Sequence, residues 1–201
     1  MVELALDCAA NACSVAVARS GKVIASHWRP MARGHAEAAP VMVERAMADA
    51  GAAFSELSRI VVTRGPGSFT GIRIALAAAR GLALVTGADI AAVPTFEALR
   101  PAEPPEGRLF AVLDTKRGSL YAAELSGSAE PFVTTAEALA AEAPFSVTGD
   151  AAAALAALAP GAVRALAPAL PDAARLLGRT LPAGPVSPLY LTPPHTGPVT
   201  R

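Results

Sequence analysis

The sequence predicts a duplicated α/β fold made of two small halves. Strand patterns alternate with helical periodicity along the whole chain, which is typical of α/β architecture. Each half opens with a hairpin whose first strand ends in aspartate, at Asp7 and at Asp114. A proline cluster at 101–105 separates the halves. Because a repeated pattern indicates a repeated structural unit, we expect an N-terminal domain at 1–100 and a smaller C-terminal domain at 101–201.

In the first half, apolar alternation and turn residues predict a three-strand meander followed by helices and buried strands. Apolar residues at three- and four-residue spacing mark the two long helices, and glycines at 51 and 87 end them. The expected elements are strands at 2–7, 12–19 and 23–28, a helix at about 36–50, a strand at 59–63, a helix at about 69–86, a strand at 90–93 and a short helix near 95–100.

The second half repeats the opening hairpin and then becomes less regular. After Asp114, the polar turn 115–118 leads into a strand that begins near Ser119, as the first turn leads to Ser14. The proline-rich tail predicts irregular structure. The expected elements are strands at 108–114, 119–125, about 131–134 and 145–148, with helices at 135–142, 150–158 and about 171–181.

The composition excludes several classes of function. The 201 residues carry 17 basic and 17 acidic side chains, so no global field favours a polyanion, and stand-alone nucleic-acid binding is not expected. Charged residues and prolines interrupt the apolar stretches, so we expect neither a membrane span nor a signal peptide. Cys8 and Cys13 are too few for a metal or disulfide framework and are expected to be reduced thiols of a cytoplasmic protein.

A glycine-rich loop joins the strand at 59–63 to the helix at 69–86. Such a loop places backbone N–H groups and a helix N-terminus where a phosphate could bind. Its spacing matches neither a dinucleotide fingerprint nor a P-loop, and a tight turn with an N-cap is the alternative. The candidate phosphate-binding residues of this loop are Gly65, Gly67, Ser68 and Thr70.

The two strand-end aspartates form a second candidate. Asp7 and Asp114 could face each other across a cleft and hold magnesium on a nucleotide. The alternative is that both accept hydrogen bonds from nearby backbone in turns.

The helix at 69–86 carries a stripe of small side chains, which permit close approach of another helix. Either this stripe packs on the protein's own sheet or it forms an interface with another subunit. Methionines of the helix at 36–50 could contribute to the same interface, because methionine adapts to irregular surfaces. The candidate interface residues are Met42, Met47, Gly71, Ala75, Ala78, Ala79 and Leu82.

Several segments together resemble the TsaB (YeaZ-like) family of accessory subunits. The resemblance is carried by residues 6–16, 34–36, 63–73, 113–121 and 188–191. It implies an actin/hexokinase/Hsp70-like fold and a heterodimer with the catalytic paralogue TsaD, joined by the ATPase TsaE. It also implies a homodimer, and contact with tRNA only through the complex. The implied reaction is threonylcarbamoylation of the adenosine beside the anticodon of tRNAs that read ANN codons.

The catalytic paralogue shares much of this pattern and differs at one segment. There it carries a His-x-Glu-Gly-His metal motif, whereas residues 93–97 here read Val-Pro-Thr-Phe-Glu. The resemblance therefore implies a subunit with no catalytic residue, metal or cofactor of its own. A stand-alone ATP-binding enzyme at Asp7 and Asp114, or a glycoprotease-like peptidase, are the alternatives.

Overall fold

A computed structural model describes residues 1–127, 130–181 and 183–192, and these residues form two five-stranded mixed sheets. The first sheet has the order β3-β2-β1-β4-β5. Its central strand β1 pairs antiparallel with β2 and parallel with β4. The strands are β1 Val2–Ala10, β2 Ala12–Arg19, β3 Lys22–Pro30, β4 Leu57–Thr63 and β5 Asp89–Val93.

The second sheet repeats the topology of the first. Its order is β10-β9-β6-β7-β8, and its central strand β6 pairs antiparallel with β7 and parallel with β9. Each strand of the second sheet therefore occupies the position of the strand numbered five lower in the first sheet, from β6 and β1 to β10 and β5. A duplication produces this correspondence. The strands are β6 Leu109–Asp114, β7 Leu120–Glu124, β8 Phe132–Thr134, β9 Phe145–Gly149 and β10 Val163–Ala165.

Helices cover one face of each sheet. On the first sheet, α1 (His35–Asp49) and α2 (Phe69–Thr86) pack against the apolar side chains of β1, β2 and β4, forming the largest core cluster. On the second sheet, α3 (Ala136–Ala140) and α4 (Ala152–Leu158) cover a smaller core. The short 3-10 helices Thr95–Leu99 and Ala173–Leu176 pack on the opposite face of the first sheet.

A shared cluster joins the two halves. Phe96 and Leu99, at the end of the first half, pack against Leu109, Ala111 and Leu113 of β6. All five side chains are almost completely buried, so their apolar surface stabilises the contact between the sheets. The division of the chain into domains at residue 100 remains a prediction.

Two local expectations differ from the structure. The helix expected at 171–181 is only the 3-10 turn Ala173–Leu176, because this segment bonds to other elements: Ala173 N donates to Ser14 Oγ at 2.9 Å, and Asp172 N donates to the carbonyl of Ala98. Strand β10 was not expected from the sequence.

Helix α2 is long and apolar enough to cross a membrane by length and composition, although its inner face packs on the sheet.

Candidate functional site

The glycine loop is shaped by its close approach to the end of β1. Ser68 N donates to the carbonyl of Ala9 at 2.7 Å, and Ser68 Oγ caps α2 by accepting from Gly71 N at 3.2 Å. A Cβ at Gly67 would fall 2.1 Å from the carbonyl oxygen of Ala9, and one at Gly71 would fall 1.9 Å from that of Cys8. The geometry supports the tight turn and N-cap that the sequence left as an alternative.

Asp7 is sealed inside the first half and does not reach the cleft between the sheets. Its side chain has no solvent exposure. Oδ1 accepts hydrogen bonds from Thr63 Oγ1 at 2.5 Å and from Ala9 N at 3.3 Å, while Oδ2 has no partner among the described residues. Burial raises the pKa of Asp7 from 3.8 to about 6, although the hydrogen bonds from Thr63 and Ala9 oppose that rise.

The cleft between the two sheets contains two other carboxylates and an ammonium group. Asp114 ends β6 as expected, and Asp150 follows the neighbouring parallel strand β9. Asp150 Oδ1 accepts from Asp114 N at 2.8 Å. Lys116 Nζ lies 2.9 Å from Asp114 Oδ2 and 3.9 Å from Asp150 Oδ2. The prediction that Asp7 and Asp114 face each other is wrong, because Asp7 lies in the core. The second carboxylate in the cleft is that of Asp150.

The ammonium of Lys116 compensates the charge of this cleft from within the chain. Its hydrogen bond to Asp114 lowers the pKa of that carboxyl and raises the pKa of the lysine. Burial raises the pKa of Asp150, and the nearby lysine opposes that rise. Lys116 has a φ of +60°, a left-handed conformation uncommon outside glycine. A lysine thus lies between the two carboxylates and compensates part of their negative charge.

The size of the cleft also limits what it can bind. Its volume is about 140 Å³, whereas pockets for ligands of drug size usually measure roughly 300–1,000 Å³. Gly67 and Ser68 of the glycine loop form its other wall. The cleft therefore brings part of the predicted phosphate loop near Asp114, but its small volume does not favour a nucleotide.

Most of the predicted interface residues lie in the protein's own core. Ala75 and Ala79 are fully buried because α2 places this stripe directly on the first sheet, where small side chains permit close packing. Their assignment to a surface is therefore wrong, and the same holds for Gly71, Met42 and Met47. Ala78 and Leu82 are partly buried at the edge of this core.

The outward face of α2 carries different apolar side chains. Leu84 is 88% exposed and Val85 is 85% exposed, and the smaller Ala77 and Gly81 are exposed on the preceding turns. Five of the 18 residues of this apolar helix are buried. We call the surface formed by Ala77, Gly81, Leu84 and Val85 the outer helix face.

Glu97 forms ion pairs in the segment 93–97, where the resemblance implies a metal motif in the catalytic paralogue. Glu97 is buried, and its carboxylate accepts from Arg100 Nε at 2.7 Å and from Arg179. These bonds tie the 3-10 helix Thr95–Leu99 to the segment after Ala173–Leu176. Within residues 1–127, 130–181 and 183–192, no group of three or more His, Cys, Asp or Glu side chains could hold a metal ion.

The C-terminal segment contacts the first half at Gly184, Leu189 and Tyr190, and Thr192 Oγ1 bonds to Tyr121 of the second half. Gly184 bridges to Ala92 at the edge of the first sheet, and Leu189 N donates to the carbonyl of Arg64 at 2.7 Å. The ring of Tyr190 stacks on Phe69 with 5.0 Å between centroids. This segment includes the closing motif at 188–191, whose role in covering the glycine loop could not be read from the sequence.

A family model described as TsaD, tRNA N6-adenosine threonylcarbamoyltransferase, matches residues 29–180, which is more than half of the chain. The chain belongs to this family. The TsaB protein of Escherichia coli is 36% identical over 124 residues, covering 60% of this chain and 53% of that protein. The TsaB protein of Bacillus subtilis is 33% identical over 122 residues, with the same coverage. The chain thus spans about half the length of these curated relatives.

The solved structures agree with this assignment. A Pseudomonas aeruginosa protein described as similar to the peptidase YEAZ superposes with a TM-score of 0.73 at 29% identity, covering 87% of this chain and 88% of that one. A second structure, YeaZ from the same organism, gives 0.70 at 28% identity. The resemblance to TsaB and the duplicated α/β fold are therefore confirmed, and the chain is a TsaB/YeaZ-like member of the family.

Proposed function

We propose that this chain is a non-catalytic partner subunit in the threonylcarbamoylation of tRNA adenosine. The relatives in Escherichia coli and Bacillus subtilis are described as tRNA threonylcarbamoyladenosine biosynthesis proteins, and the family model is that of the transferase. In this proposal the chain binds and activates the catalytic paralogue TsaD, together with the ATPase TsaE, and meets tRNA only through the complex. That role would place it in the cytoplasm.

The observation that carries this proposal is the outer helix face. Leu84 and Val85 are almost fully exposed on an apolar helix. Contiguous exposed apolar surface marks an interaction site more often than scattered single residues do. A paralogue with the same layer of helices would offer a matching surface, and a stable interface would bury roughly 1,200–2,000 Å² in total. Two copies of this chain could pair through the same face, so homodimer and heterodimer would compete.

The cleft between the sheets supports the non-catalytic part of the proposal. Its small volume and the ammonium of Lys116 between Asp114 and Asp150 disfavour a magnesium–nucleotide complex. Asp7, the other candidate ligand, is enclosed in the core. These features favour a binding role over the stand-alone ATP-dependent enzyme.

The test is complex formation with TsaD from the same organism, measured by size-exclusion chromatography with light scattering. Leu84→Glu and Val85→Glu place a charge on the outer helix face and should weaken the complex by at least about 30-fold, the effect of an interface hot spot. Because both positions are exposed, the fold should be retained, which circular dichroism can verify.

The matched control is Leu158→Glu. Leu158 is 52% exposed on α4 of the second half, so the same substitution there should leave the complex intact. Unchanged complex formation by both the Leu84 and Val85 variants would place the interface elsewhere. A wild-type chain that forms no complex would contradict the partner-subunit proposal itself.

A further inference from the structure

A separate open groove lies between strand β3 and helix α1. Its volume is about 580 Å³, well within the range of ligand-binding pockets and about four times that of the cleft between the sheets. Its apolar floor is formed by Met31, Ala38, Val41 and Met42. A floor of this kind favours a ligand that has apolar side chains to bury.

Three arginines surround this floor. Arg29 comes from β3, Arg33 from the following loop and Arg45 from α1, and all three side chains are exposed. Arg19 and Arg59 elsewhere form ion pairs with glutamates. Across the part of the chain that the structure describes, no ion pair or side-chain hydrogen bond engages the three groove arginines. Their guanidinium groups are therefore available to carboxylates or phosphates.

The groove has a net positive charge in a chain that has none. Glu37 is the acidic side chain among its lining residues, so the arginines leave an excess of two positive charges. His27, which also lines the groove, is engaged by Asp49, with 2.8 Å between Nε2 and Oδ2. The local charge complements an acidic ligand, while the balanced 17 and 17 of the whole chain gives no general attraction for polyanions.

The neighbouring strand offers a backbone template. β3 is the outermost strand of the first sheet and has β2 as its partner on one side. Val23, Ile24 and Trp28 on this strand are 37%, 39% and 46% exposed. An open edge with exposed apolar side chains readily pairs with an added strand. Alternate side chains of such a strand would point toward α1 and over the groove floor.

We propose that the β3–α1 groove binds an extended acidic segment of a partner protein, added as a strand to the edge of β3. Apolar side chains of that segment would cover Met31 and Val41, and its carboxylates would bind Arg29, Arg33 and Arg45. RNA is the less favoured occupant, because phosphates would use the arginines and leave the apolar floor and strand edge unused. This proposal concerns a different surface from the outer helix face and does not depend on TsaD binding.

Binding of a fluorescein-labelled acidic peptide, followed by fluorescence anisotropy, tests this proposal. The probe is the peptide Glu-Thr-Val-Thr-Glu-Thr-Val-Thr-Glu, which as a strand presents glutamate and valine on one face. Titration with the purified chain should raise the anisotropy of the labelled peptide in a saturable way.

Replacing Arg29, Arg33 and Arg45 together by alanine should weaken peptide binding about tenfold, the combined effect of three exposed ion pairs. Arg164→Ala, at another exposed arginine, should leave the affinity unchanged. A peptide with lysine in place of glutamate should not bind. Circular dichroism checks that the triple variant, whose changes are all at exposed positions, keeps its fold.

Three results would overturn the proposal. The first is no saturable change with the acidic peptide. The second is equal affinity of the wild-type chain and the triple variant. The third is tighter binding of a single-stranded uridine oligonucleotide that is lost in the triple variant, which would assign the groove to RNA.

Discussion

Asp7 is an ionisable group held in the core, and its replacement by asparagine tests the effect of that burial. Burial raises its pKa from 3.8 to about 6, so the folded chain binds this proton more tightly than the unfolded chain does. The Asp7 contribution therefore favours folding at low pH, weakens as the pH rises from about 4 to about 6, and disfavours folding above that window. Asp172 adds a smaller repulsive contribution in the same direction.

The magnitude follows from the rise in pKa. A change from 3.8 to about 6 corresponds to roughly 3 kcal/mol of differential interaction between the protonated and ionised forms. Asp7→Asn removes the charge and keeps an oxygen that can accept from Thr63 and Ala9. The asparagine amide N–H groups would lie where Oδ2 has no partner, so they would be buried without an acceptor. Burying these donors costs about 1–3 kcal/mol and offsets part of the gain. We expect a net stabilisation of at most about 2 kcal/mol at pH 8.

The assay is urea unfolding of the wild-type chain and the Asp7→Asn variant at pH 4.5 and at pH 8. The gain in the free energy of unfolding should be present at pH 8 and be smaller or reversed at pH 4.5, where Asp7 is protonated in the folded chain. Asp89→Asn, at an exposed aspartate, serves as the control and should show little difference at either pH. The same stability difference between wild type and Asp7→Asn at both pH values would refute the reasoning.

Three further predictions concern the cleft, the glycine loop and the buried glutamate. Lys116→Met removes the ammonium that lies between the two cleft carboxylates. Mn²⁺ binding in the roughly millimolar range should then be detected by electron paramagnetic resonance, and its absence would contradict the charge compensation assigned to Lys116. Gly71→Ala should destabilise the fold by about 3 kcal/mol, since its Cβ would fall 1.9 Å from the carbonyl oxygen of Cys8. A Cβ at Gly81 would meet no other atom, so Gly81→Ala should stabilise the helix by roughly 0.5–1 kcal/mol. Equal changes in the free energy of unfolding for Gly71→Ala and Gly81→Ala, measured with urea, would contradict the steric role of Gly71. Glu97→Gln removes the carboxylate shared by two arginines and should cost about 3 kcal/mol in the same assay, and a loss below about 1 kcal/mol would show that the pairs contribute little.

The sequence predicted the duplicated fold because its strongest signals are local. The hairpins that carry Asp7 and Asp114 are marked by alternation and polar turns, and both appear as the central pairs of the two sheets. Asp114 ends β6 as expected, whereas β1 continues past Asp7 to Ala10. Helix α2 was expected at 69–86 and is found at Phe69–Thr86, because a glycine follows its regular apolar spacing. Segment 171–181 was not predictable in the same way, since its shape depends on bonds to distant strands such as that to Ser14.

The candidate site shows where sequence patterns become ambiguous. Ala75 and Ala79 pack on the protein's own sheet, and a small-residue stripe looks the same in a sequence whether its partner is a sheet or another subunit. Asp150 directly follows β9 and Asp114 is the last residue of β6, so a search for acidic residues at strand ends could have found Asp150. The burial of Asp7 could not be inferred, because it depends on the return of residues 171–177 across the first sheet.

The central claim is that tRNA modification depends on this chain through the outer helix face. The most direct measurement is threonylcarbamoylation of tRNA by TsaD and TsaE in vitro, with no added chain, with the wild type, and with the Leu84→Glu and Leu158→Glu variants. We expect modification with the wild type and Leu158→Glu, and little or none with Leu84→Glu or without the chain. Modification that proceeds without the chain, or fully with Leu84→Glu, would contradict it.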